Sequence, residues 1–439
     1  MRVLVVGAGI AGLAAAFRLQ RAGAEVTVLE RSERVGGRIR TVESNGYRMD
    51  AAASVLPTTY RRTLRLIEDA GLASELLSTP DLLGIARSDR VHHIHSRRRI
   101  DLMRTGLLDV RSKLGLGRAL LDMYRHRAVL RRPTDPAIQR LDVETVEHYA
   151  KRLLTDDALD YFVEPLTGDF YMVPPAELSV VNLFLLLQTM VGTDFVNSEQ
   201  GMQFLPEGLA RGLKVELSAR VNEIESDAHG ATVTWTESAC SERVERADAV
   251  VVATPAGQAA SILPQLDSAQ REFLTGLRYA RSLVVTLTIG KPPPERAMWL
   301  TVPDRTHPDV NVMILDHNKA PGRVPAGAAM ATVYWHRNWA TRHWELPDEQ
   351  VVSAAIDGVA QVIPDVAGNM NNGYVWRWDP CTVARPAGGF KALARFASSL
   401  DPASPIQLAG DYFAISTVEK SLASGEDAAQ RVIQKLGRA

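Results

Sequence analysis

The chain begins with Arg2-Val-Leu-Val-Val6, Gly7-Ala-Gly9-Ile-Ala-Gly12, an alanine-rich segment to about Gly23, and Glu25-Val-Thr-Val-Leu-Glu30. A β-branched apolar run, a glycine turn, an amphipathic helix and a second apolar run that ends in an acid predict one βαβ unit. This order is typical of a dinucleotide-binding unit.

The three glycines of the turn have separate roles in such a unit. Gly7 permits the tight turn, Gly9 lets the backbone approach a pyrophosphate, and Gly12 lets the helix pack closely on the strand. The phosphates would lie at the helix N-terminus, where Ile10 and Ala11 follow Gly9. Glu30 would accept hydrogen bonds from the ribose hydroxyls of an adenosine and repel a 2′-phosphate, so the ligand should not be NADP.

Composition limits the class of protein. The 439 residues are 46% hydrophobic and 23% charged, which are globular values, and the length favours two domains. The net charge of -1 gives no reason to expect a nucleic-acid partner. Cys240 and Cys381 form no CxxC motif and the histidines no ligand set, so we expect no metal site. The cysteine usage fits a reducing compartment, and the early strand leaves no secretory signal, so we expect a cytoplasmic protein.

A second glycine motif follows at Arg31-Ser-Glu-Arg-Val-Gly36-Gly37-Arg38. Adjacent glycines let the chain pass close to a ligand, and Arg38 can place a cation on a phosphate. Together with the first unit, this motif resembles the flavin-containing amine oxidoreductase superfamily, which includes monoamine oxidases, protoporphyrinogen oxidases and carotenoid desaturases. The resemblance implies FAD, with Arg38 near its pyrophosphate.

The resemblance extends over essentially the whole chain and implies further FAD contacts. They are Ser54, Val55 and Leu56 along the flavin ring, Val221 at the adenine, Gly410 and Asp411 at the ribityl chain, and Val418 at the start of the last helix. The N-terminus of that helix, predicted to begin with a capping box from Ser416 to Glu419, would stabilise an anionic reduced flavin.

The predicted fold is α/β, with a Rossmann-type FAD domain and a substrate domain made of a mixed sheet and helices. We assign residues 1–82, 201–275 and 396–439 to the FAD-binding domain, and residues 83–200 and 276–395 to the substrate-binding domain. Within the latter, 83–200 is expected to be mostly helical, with His92-His93-x-His95 in a surface hairpin. Four apolar runs are expected to form strands: Leu283 to Ile289, Val310 to Leu315, Ala329 to Trp335 and Gly373 to Trp378. The stretch from Thr105 to Arg132 is a basic amphipathic segment that either packs on its own domain or contacts an anionic membrane surface.

One similarity to the family and three departures from its pattern concern the substrate. The segment Glu164 to Ser179 is similar to one in protoporphyrinogen oxidases. Phe390 and Lys391 stand where monoamine oxidases have the flavin-linking cysteine and a cage tyrosine, which predicts non-covalent FAD. Thr417 stands near the second cage aromatic, and Val284 near the lysine of many amine oxidases. We take Lys391 and Thr417 as the candidate catalytic residues, Lys391 because it could orient a substrate carboxylate or polarise a carbonyl.

These features favour an FAD-dependent dehydrogenation of a largely apolar molecule, such as a porphyrinogen, a polyene or a cyclic compound, with oxygen or another electron acceptor. The alternative is an amine or amino-acid oxidase whose pocket is lined by other aromatics, among Tyr171, Tyr334, Trp335, Trp376 and Trp378. A non-enzymatic carrier resembling GDP-dissociation inhibitors is disfavoured, because it would not need Glu30, Arg38 and Asp411. The pattern does not give an oligomeric state.

Overall fold

The computed structural model describes residues 1–87, 90–237 and 241–436, so Cys240 lies outside the described residues. The strands are β1 (Arg2–Val6), β2 (Glu25–Leu29), β3 (Thr41–Ser44), β4 (Tyr47–Asp50), β5 (Leu56–Pro57), β6 (Leu77–Ser78), β7 (Leu82–Arg87), β8 (Arg90–His95), β9 (Phe195–Asn197), β10 (Lys214–Glu216), β11 (Ala219–Asp227), β12 (Gly230–Glu237), β13 (Ser241–Ala247), β14 (Ala249–Val252), β15 (Tyr279–Ile289), β16 (Trp299–Thr301), β17 (Val310–Leu315), β18 (Ala329–Trp335), β19 (Met370–Val383) and β20 (Ile406–Leu408).

The helices are α1 (Ile10–Arg21), α2 (Arg61–Asp69), α3 (Arg99–Arg104), α4 (Val110–Arg125), α5 (Arg127–Leu130), α6 (Val146–Leu153), α7 (Asp156–Ala158), α8 (Glu164–Tyr171), α9 (Val180–Met190), α10 (Phe204–Ala210), α11 (Ala256–Ile262), α12 (Ser268–Gly276), α13 (Asp316–Lys319), α14 (Arg337–His343), α15 (Asp348–Val362), α16 (Gly389–Ser399) and α17 (Val418–Leu436).

A five-stranded parallel sheet contains the predicted βαβ unit. Its strand order is β10-β2-β1-β14-β20, so it is assembled from the start, middle and end of the chain. The central strands β1 and β14 are almost fully apolar because helices and a second sheet cover both faces. The helix α17 packs against α1, where a Cβ at Gly425 would lie 2.0 Å from the Ala11 carbonyl oxygen. Glycine is therefore required for this close approach.

The second large sheet is a seven-stranded mixed sheet with the strand order β19-β15-β18-β17-β16-β7-β8. Four of its strands, β15, β17, β18 and β19, were expected from their apolar runs. The β7–β8 hairpin lies within a segment expected to be mostly helical, and it contains His92, His93 and His95, for which a surface hairpin was expected. The hairpin is stabilised by tertiary pairing, because β7 bonds both to β8 and, in parallel, to the distant β16. Short-range periodicity carries no information about that partner.

Helices α3 to α9 form a layer over this sheet, and α9 is buried along most of its length. The predicted amphipathic stretch is α4 followed by α5. Several large apolar side chains of α4 are exposed rather than packed, namely Val110, Leu114, Leu121 and Tyr124. Among the described residues, no helix combines the length and the apolar character needed to cross a bilayer.

A buried ion cluster ties β4 to the segment after β17. Asp50 accepts hydrogen bonds from Lys319 Nζ at 2.9 Å and from Arg323 Nη2 at 2.5 Å, and Lys319 also pairs with Asp316 at 2.5 Å. All four side chains are fully buried. Burial alone would raise the pKa of Asp50, but the two cations and the bonds from Thr41 and Met202 lower it.

Candidate active site

A deep cleft runs from the carboxyl ends of β1 and β2 to the face of the seven-stranded sheet. It encloses a cavity of about 530 Å³, which is in the range of small-molecule sites. Its first part is lined by the glycine turn and by residues 30–39, and its far part by α8 and the strands β15 to β19. The cleft therefore extends from the five-stranded parallel sheet to the seven-stranded sheet.

The glycine turn leaves an open cradle at the N-terminus of α1. Gly7 has a φ of +100°, and a Cβ at Gly12 would lie 1.9 Å from the Gly7 carbonyl oxygen, so neither position accommodates a side chain. At Gly9 an added Cβ would meet nothing within 4 Å, so free space lies in front of the helix N-terminus. That space is suited to an anionic group.

Glu30 lies at the end of β2 with its carboxylate directed back to the turn. It accepts hydrogen bonds from the Ala8 amide at 2.7 Å and from the Ser32 amide at 2.9 Å. Each oxygen keeps acceptor capacity beyond this bond, and Glu30 lines the cleft. The carboxylate is thus held in place to accept hydrogen bonds from hydroxyl groups.

Arg38 and Asp411 form an ion pair that closes the cleft from the other side. Arg38 Nη1 donates to Asp411 Oδ2 at 2.7 Å and to the Cys381 carbonyl at 2.5 Å. Asp411 also accepts from Tyr279 and Ser416, at 3.1 and 2.5 Å. Burial would raise the pKa of Asp411, but Arg38 and these bonds lower it, so the carboxylate stays ionised. The guanidinium therefore holds a fixed orientation beside the glycine turn.

The helix α17 begins at the cleft. Its first residue is Val418, whereas a capping box with Ser416 as the cap predicts a start at Thr417. Thr417 is the cap, because its Oγ1 accepts from the Lys420 amide at 3.2 Å. Ser416 instead donates to Asp411, and Glu419 accepts from Arg62 and Thr63 of α2. The predicted pairing of Ser416 with Glu419 was wrong because both side chains have tertiary partners. The N-terminus of α17 still faces the cleft.

The segment from Ala51 to Val55 forms one side of the cleft and is held by side chains from three directions. Trp378 Nε1 donates to the Ala51 carbonyl at 2.8 Å, the Tyr334 hydroxyl donates to the Ala52 carbonyl, and Asn197 donates to the Ser54 carbonyl. These bonds satisfy backbone oxygens that a loop would otherwise leave unpaired, so the segment can present its backbone along a flat ligand.

The far part of the cleft has a largely apolar lining, which we call the substrate wall. Its members come from α8 and from β15 to β18: Asp169, Phe170, Val284, Trp299, Val312 and Tyr334. Phe170 stacks on Trp299 with ring centroids 6.0 Å apart. A planar or extended apolar molecule fits this wall.

Asp169 is the charged member of the substrate wall. Its Oδ2 accepts from Thr301 Oγ1 at 2.8 Å and from Trp299 Nε1 at 3.1 Å, whereas its enclosed Oδ1 has no partner. Burial raises the pKa of Asp169 to about 7, although the two bonds oppose this. Behind it, burial and the charges of Asp304 and Asp169 raise the pKa of Glu164 to about 9.

The profile of the flavin containing amine oxidoreductase family matches residues 10–433. The chain belongs to this family. It is 29% identical over 189 residues to protoporphyrinogen oxidase 2 of Arabidopsis thaliana, covering 42% of this chain and 35% of the relative. It is 29% identical over 310 residues to an L-amino-acid oxidase of Crotalus adamanteus, covering 66% of this chain and 58% of that enzyme.

The chain thus spans about a third to three fifths of the length of these relatives. Among solved structures, it superposes on cyclohexylamine oxidase from Brevibacterium oxydans with a TM-score of 0.75 and 19% identity, covering 100% of this chain and 99% of the other. At that identity the likeness shows a common fold. The fold class and the predicted superfamily are confirmed.

The cleft of this family member fits FAD. The open cradle at Gly9, the preorganised Glu30 carboxylate and the fixed Arg38 suit a pyrophosphate and a ribose, and Thr254 offers a buried hydroxyl without a partner. The structure brings most of the predicted cofactor residues to the cleft lining: Gly7, Gly9, Ile10, Ala11, Glu30, Arg31, Gly36, Gly37, Arg38, Ser54, Val55, Val221, Gly410, Asp411 and Val418.

Two predicted cofactor residues do not line the cleft. Gly12 lies behind the turn, where it allows α1 to approach Gly7, as its predicted packing role requires. Leu56 is fully buried on β5, which pairs with β9. Its side chain belongs to the apolar core, so the predicted contact with the flavin ends at Val55.

Of the two candidate catalytic residues, only Thr417 lines the cleft. Lys391 is exposed in the first turn of α16, where its amide donates to Asp142 at 2.8 Å. The prediction for Lys391 was wrong because Gly388 and Gly389 start a helix there, with Gly388 at a φ of +84°. The cleft is lined instead by the end of β19, from Arg377 to Thr382.

Because the end of β19 lines the cleft, Cys381 is part of the lining. Burial raises the pKa of its thiol to about 11, which keeps it protonated. Of the aromatics considered for the pocket, Tyr334 and Trp378 line the cleft, whereas Tyr171, Trp335 and Trp376 do not. Val284, which the resemblance places near the family's lysine, also lines the cleft.

The sequence reasoning missed Asp169 and Trp299. Asp169 lies inside the segment that suggested the protoporphyrinogen oxidase branch, but its role depends on Trp299 and Thr301, which are more than 100 positions away. A lone Asp-Phe pair at the end of a helix gave no signal of this contact.

Proposed function

We propose that the protein dehydrogenates a largely apolar small molecule, porphyrinogen-like, polyene or with a cyclic C–C or C–N bond, by hydride transfer to FAD. The observation that carries this proposal is the substrate wall, whose members are apolar or aromatic apart from Asp169. Val284 stands where many family members have a lysine, so the wall offers no cation to hold a water molecule beside the flavin.

Bound FAD would supply the hydride acceptor, and oxygen or another acceptor would take up the electrons. The chain's own residues would bind and orient the substrate. Phe170 and Trp299 would enclose an apolar face and exclude water, and the Asp169 Oδ1 atom would accept a hydrogen bond from an N–H group. Thr417 lies at the N-terminus of α17, where roughly half a positive charge favours negative charge on a neighbouring ring.

The free Oδ1 atom of Asp169 narrows the substrate class. A pure polyene has no donor for this oxygen, whereas a pyrrole or another ring N–H satisfies it. Because this oxygen is already unpaired in the free protein, a donor that pairs with it would stabilise the complex by about 1–3 kcal/mol relative to a ligand that does not. Within the proposed class, compounds with an N–H group on an apolar ring therefore fit best.

The second candidate is oxidation of an amine or amino acid. It is favoured by the same oxygen, because an ionised Asp169 attracts an ammonium group, and by the likeness to the L-amino-acid oxidase. With a pKa of about 7, Asp169 would attract a cation increasingly as the pH rises through 7. Amine oxidation would then be fastest at alkaline pH.

The test is anaerobic mixing of the FAD-loaded protein with porphyrinogens, polyenes, cyclic ketones and amines, followed by air. We expect the visible flavin band to bleach with an apolar ring compound. Bleaching by amines alone would overturn the proposal in favour of the second candidate. The rate of recolouring in air distinguishes an oxidase from a dehydrogenase.

We also propose a peripheral membrane contact through α4. Its exposed Leu114 lies one helical turn from Arg111 and Arg118, and its exposed Tyr124 packs against Arg127, a combination suited to an anionic lipid surface. Co-sedimentation with anionic vesicles tests it: the wild type should bind and Leu114→Asp should not. Equal sedimentation of both proteins, or none of either, would contradict it.

A further inference from the structure

Three side chains from distant parts of the chain converge beside the substrate wall. Glu164 is the first residue of α8, Asp304 lies between β16 and β17, and His336 follows β18. Each offers one ligand atom, and these atoms all lie within 4.8 Å of one another. His336 Nε2 is 2.7 Å from Asp304 Oδ1. We call this group the acid–histidine cluster.

A fully buried asparagine faces the same space. Asn311 of β17 has an Oδ1 atom without a hydrogen-bond partner, and its Nδ2 has only the Met172 sulfur, at 3.6 Å. A Cβ at Gly168 would lie 3.0 Å from Asn311 Oδ1, 3.4 Å from Glu164 Oε1 and 3.5 Å from His336 Cε1. The amide oxygen, the carboxylate and the imidazole therefore surround one small volume next to Gly168.

Two acceptor oxygens around this volume lack donors. Glu164 Oε2, like Asn311 Oδ1, is buried and has no hydrogen-bond partner. Among the described residues, no lysine or arginine pairs with Glu164 or Asp304, and the neighbouring Arg305 pairs with Asp157 and Asp160. Buried acceptors without partners are costly, so a native structure retains them where something else binds.

We propose that the acid–histidine cluster binds one divalent transition-metal ion through Glu164, Asp304 and His336, with the Asn311 oxygen beside it. One imidazole and two carboxylates favour Zn²⁺ or Mn²⁺ over Mg²⁺ and Ca²⁺, which prefer oxygen ligands alone. The sequence offered no sign of this site, because the ligands are more than 30 positions apart.

The ion would have a positioning role for the substrate wall. It would link α8, which carries Asp169 and Phe170, to the ends of β16 and β18, which carry Trp299 and Tyr334. It does not touch the cleft lining, so it supplies no chemistry to the flavin. The inference is independent of which substrate is oxidised.

The test is calorimetric titration of the chelator-treated, FAD-loaded protein with ZnCl₂ and MnCl₂, with MgCl₂ for comparison. We expect the wild type to bind about one equivalent of Zn²⁺ or Mn²⁺. The affinity should be at least about tenfold lower in Asp304→Asn and in His336→Gln. Asp309→Asn and His148→Gln, an acid and a histidine outside the cluster, are the matched controls and should bind as the wild type does. Flavin spectra and cooperative unfolding confirm that each variant is folded.

No binding by the wild type, or equal binding by the wild type and both cluster variants, would overturn the proposal. If either variant does not fold, anomalous diffraction from wild-type crystals soaked in MnCl₂ decides. A peak between Glu164, Asp304 and His336 supports the site, and its absence there refutes it.

Discussion

Two groups of buried acids lie against the seven-stranded sheet, and they differ in how their charges are satisfied. In the ion cluster, Asp50 and Asp316 face Lys319 and Arg323, and both oxygens of Asp50 accept hydrogen bonds. In the region around α8, Glu164 and Asp169 face no paired cation among the described residues, and each keeps an oxygen without a partner.

The difference separates structural groups from binding groups. A buried carboxylate with matched cations holds elements together, and its pKa is lowered. A buried carboxylate without them has its pKa raised and gains most when a ligand supplies the missing charge or donor. On this basis the ion cluster is structural, and the region around α8 is a site.

The largest effect should come from breaking the ion cluster. Asp50→Asn leaves Arg323 buried without a counter-charge and Lys319 with Asp316 alone, so we expect the free energy of unfolding to fall by about 3–5 kcal/mol. Chemical denaturation measures this. Asp227→Asn, which breaks an exposed pair with Arg246, is the control and should leave the stability unchanged within error. Similar losses in both variants would contradict the assignment.

The pH dependence of stability should also separate the two groups. The pKa of Asp169 is about 4 in the unfolded protein and about 7 in the folded protein. Between about pH 4 and pH 7 the folded protein therefore holds one more proton on Asp169 than the unfolded protein does, and the free energy of unfolding falls as the pH rises. Relative to the wild type, Asp169→Asn in chelator-treated buffer should therefore gain about 1.4 kcal/mol per pH unit over this range.

Asp50 should behave in the opposite way. Its folded pKa is lowered, so its stabilisation is complete above the unfolded value of about 4 and is lost only as the pH falls through the folded value. The stability difference between Asp50→Asn and the wild type should then be constant from about pH 5 to pH 7. Parallel profiles for the two variants would refute the contrast.

Arg38 combines both roles, because it is ion-paired and lies in the cofactor cleft. Arg38→Met leaves Asp411 buried and unpaired and removes a donor from the pyrophosphate region. We expect FAD affinity to fall by about 10- to 100-fold, the equivalent of one or two charged hydrogen bonds. Flavin fluorescence on dilution measures release. Arg246→Met is the matched control, and equal retention in both variants would contradict the role.

The smallest effect is expected at Lys391. Because its side chain is exposed and its amide, not its ammonium group, bonds Asp142, Lys391→Met should leave the rate of flavin reduction unchanged. A clear loss of rate, measured by rapid mixing, would return Lys391 to the site.

The sequence predicted those features that depend on short-range order. The βαβ unit, the Glu30 acid, Arg38 and the Gly410-Asp411 strand end are set by neighbouring residues, and each lies in the cleft as expected. The apolar runs also predicted β1, β2 and four strands of the seven-stranded sheet, because a run of strand length between turn signals permits few alternatives.

The features that sequence reasoning missed depend on partners far away in the chain. The parallel pairing of β7 with β16 joins segments far apart in the chain, and so do the bonds from Trp299 and Thr301 that leave one oxygen of Asp169 free. The acid–histidine cluster joins three segments. Lys391 was misplaced for a local reason: two glycines that resembled a loop beside the flavin are the start of a helix.

The most direct test of the account is anaerobic reduction of the flavin by the best donor, in the wild type and in Asp169→Asn. If the unpartnered oxygen of Asp169 binds substrate, the variant should need about tenfold or more donor for half-reduction while retaining FAD equally well. Identical reduction curves would show that Asp169 does not touch the substrate, and the distinction between structural and binding acids would fail.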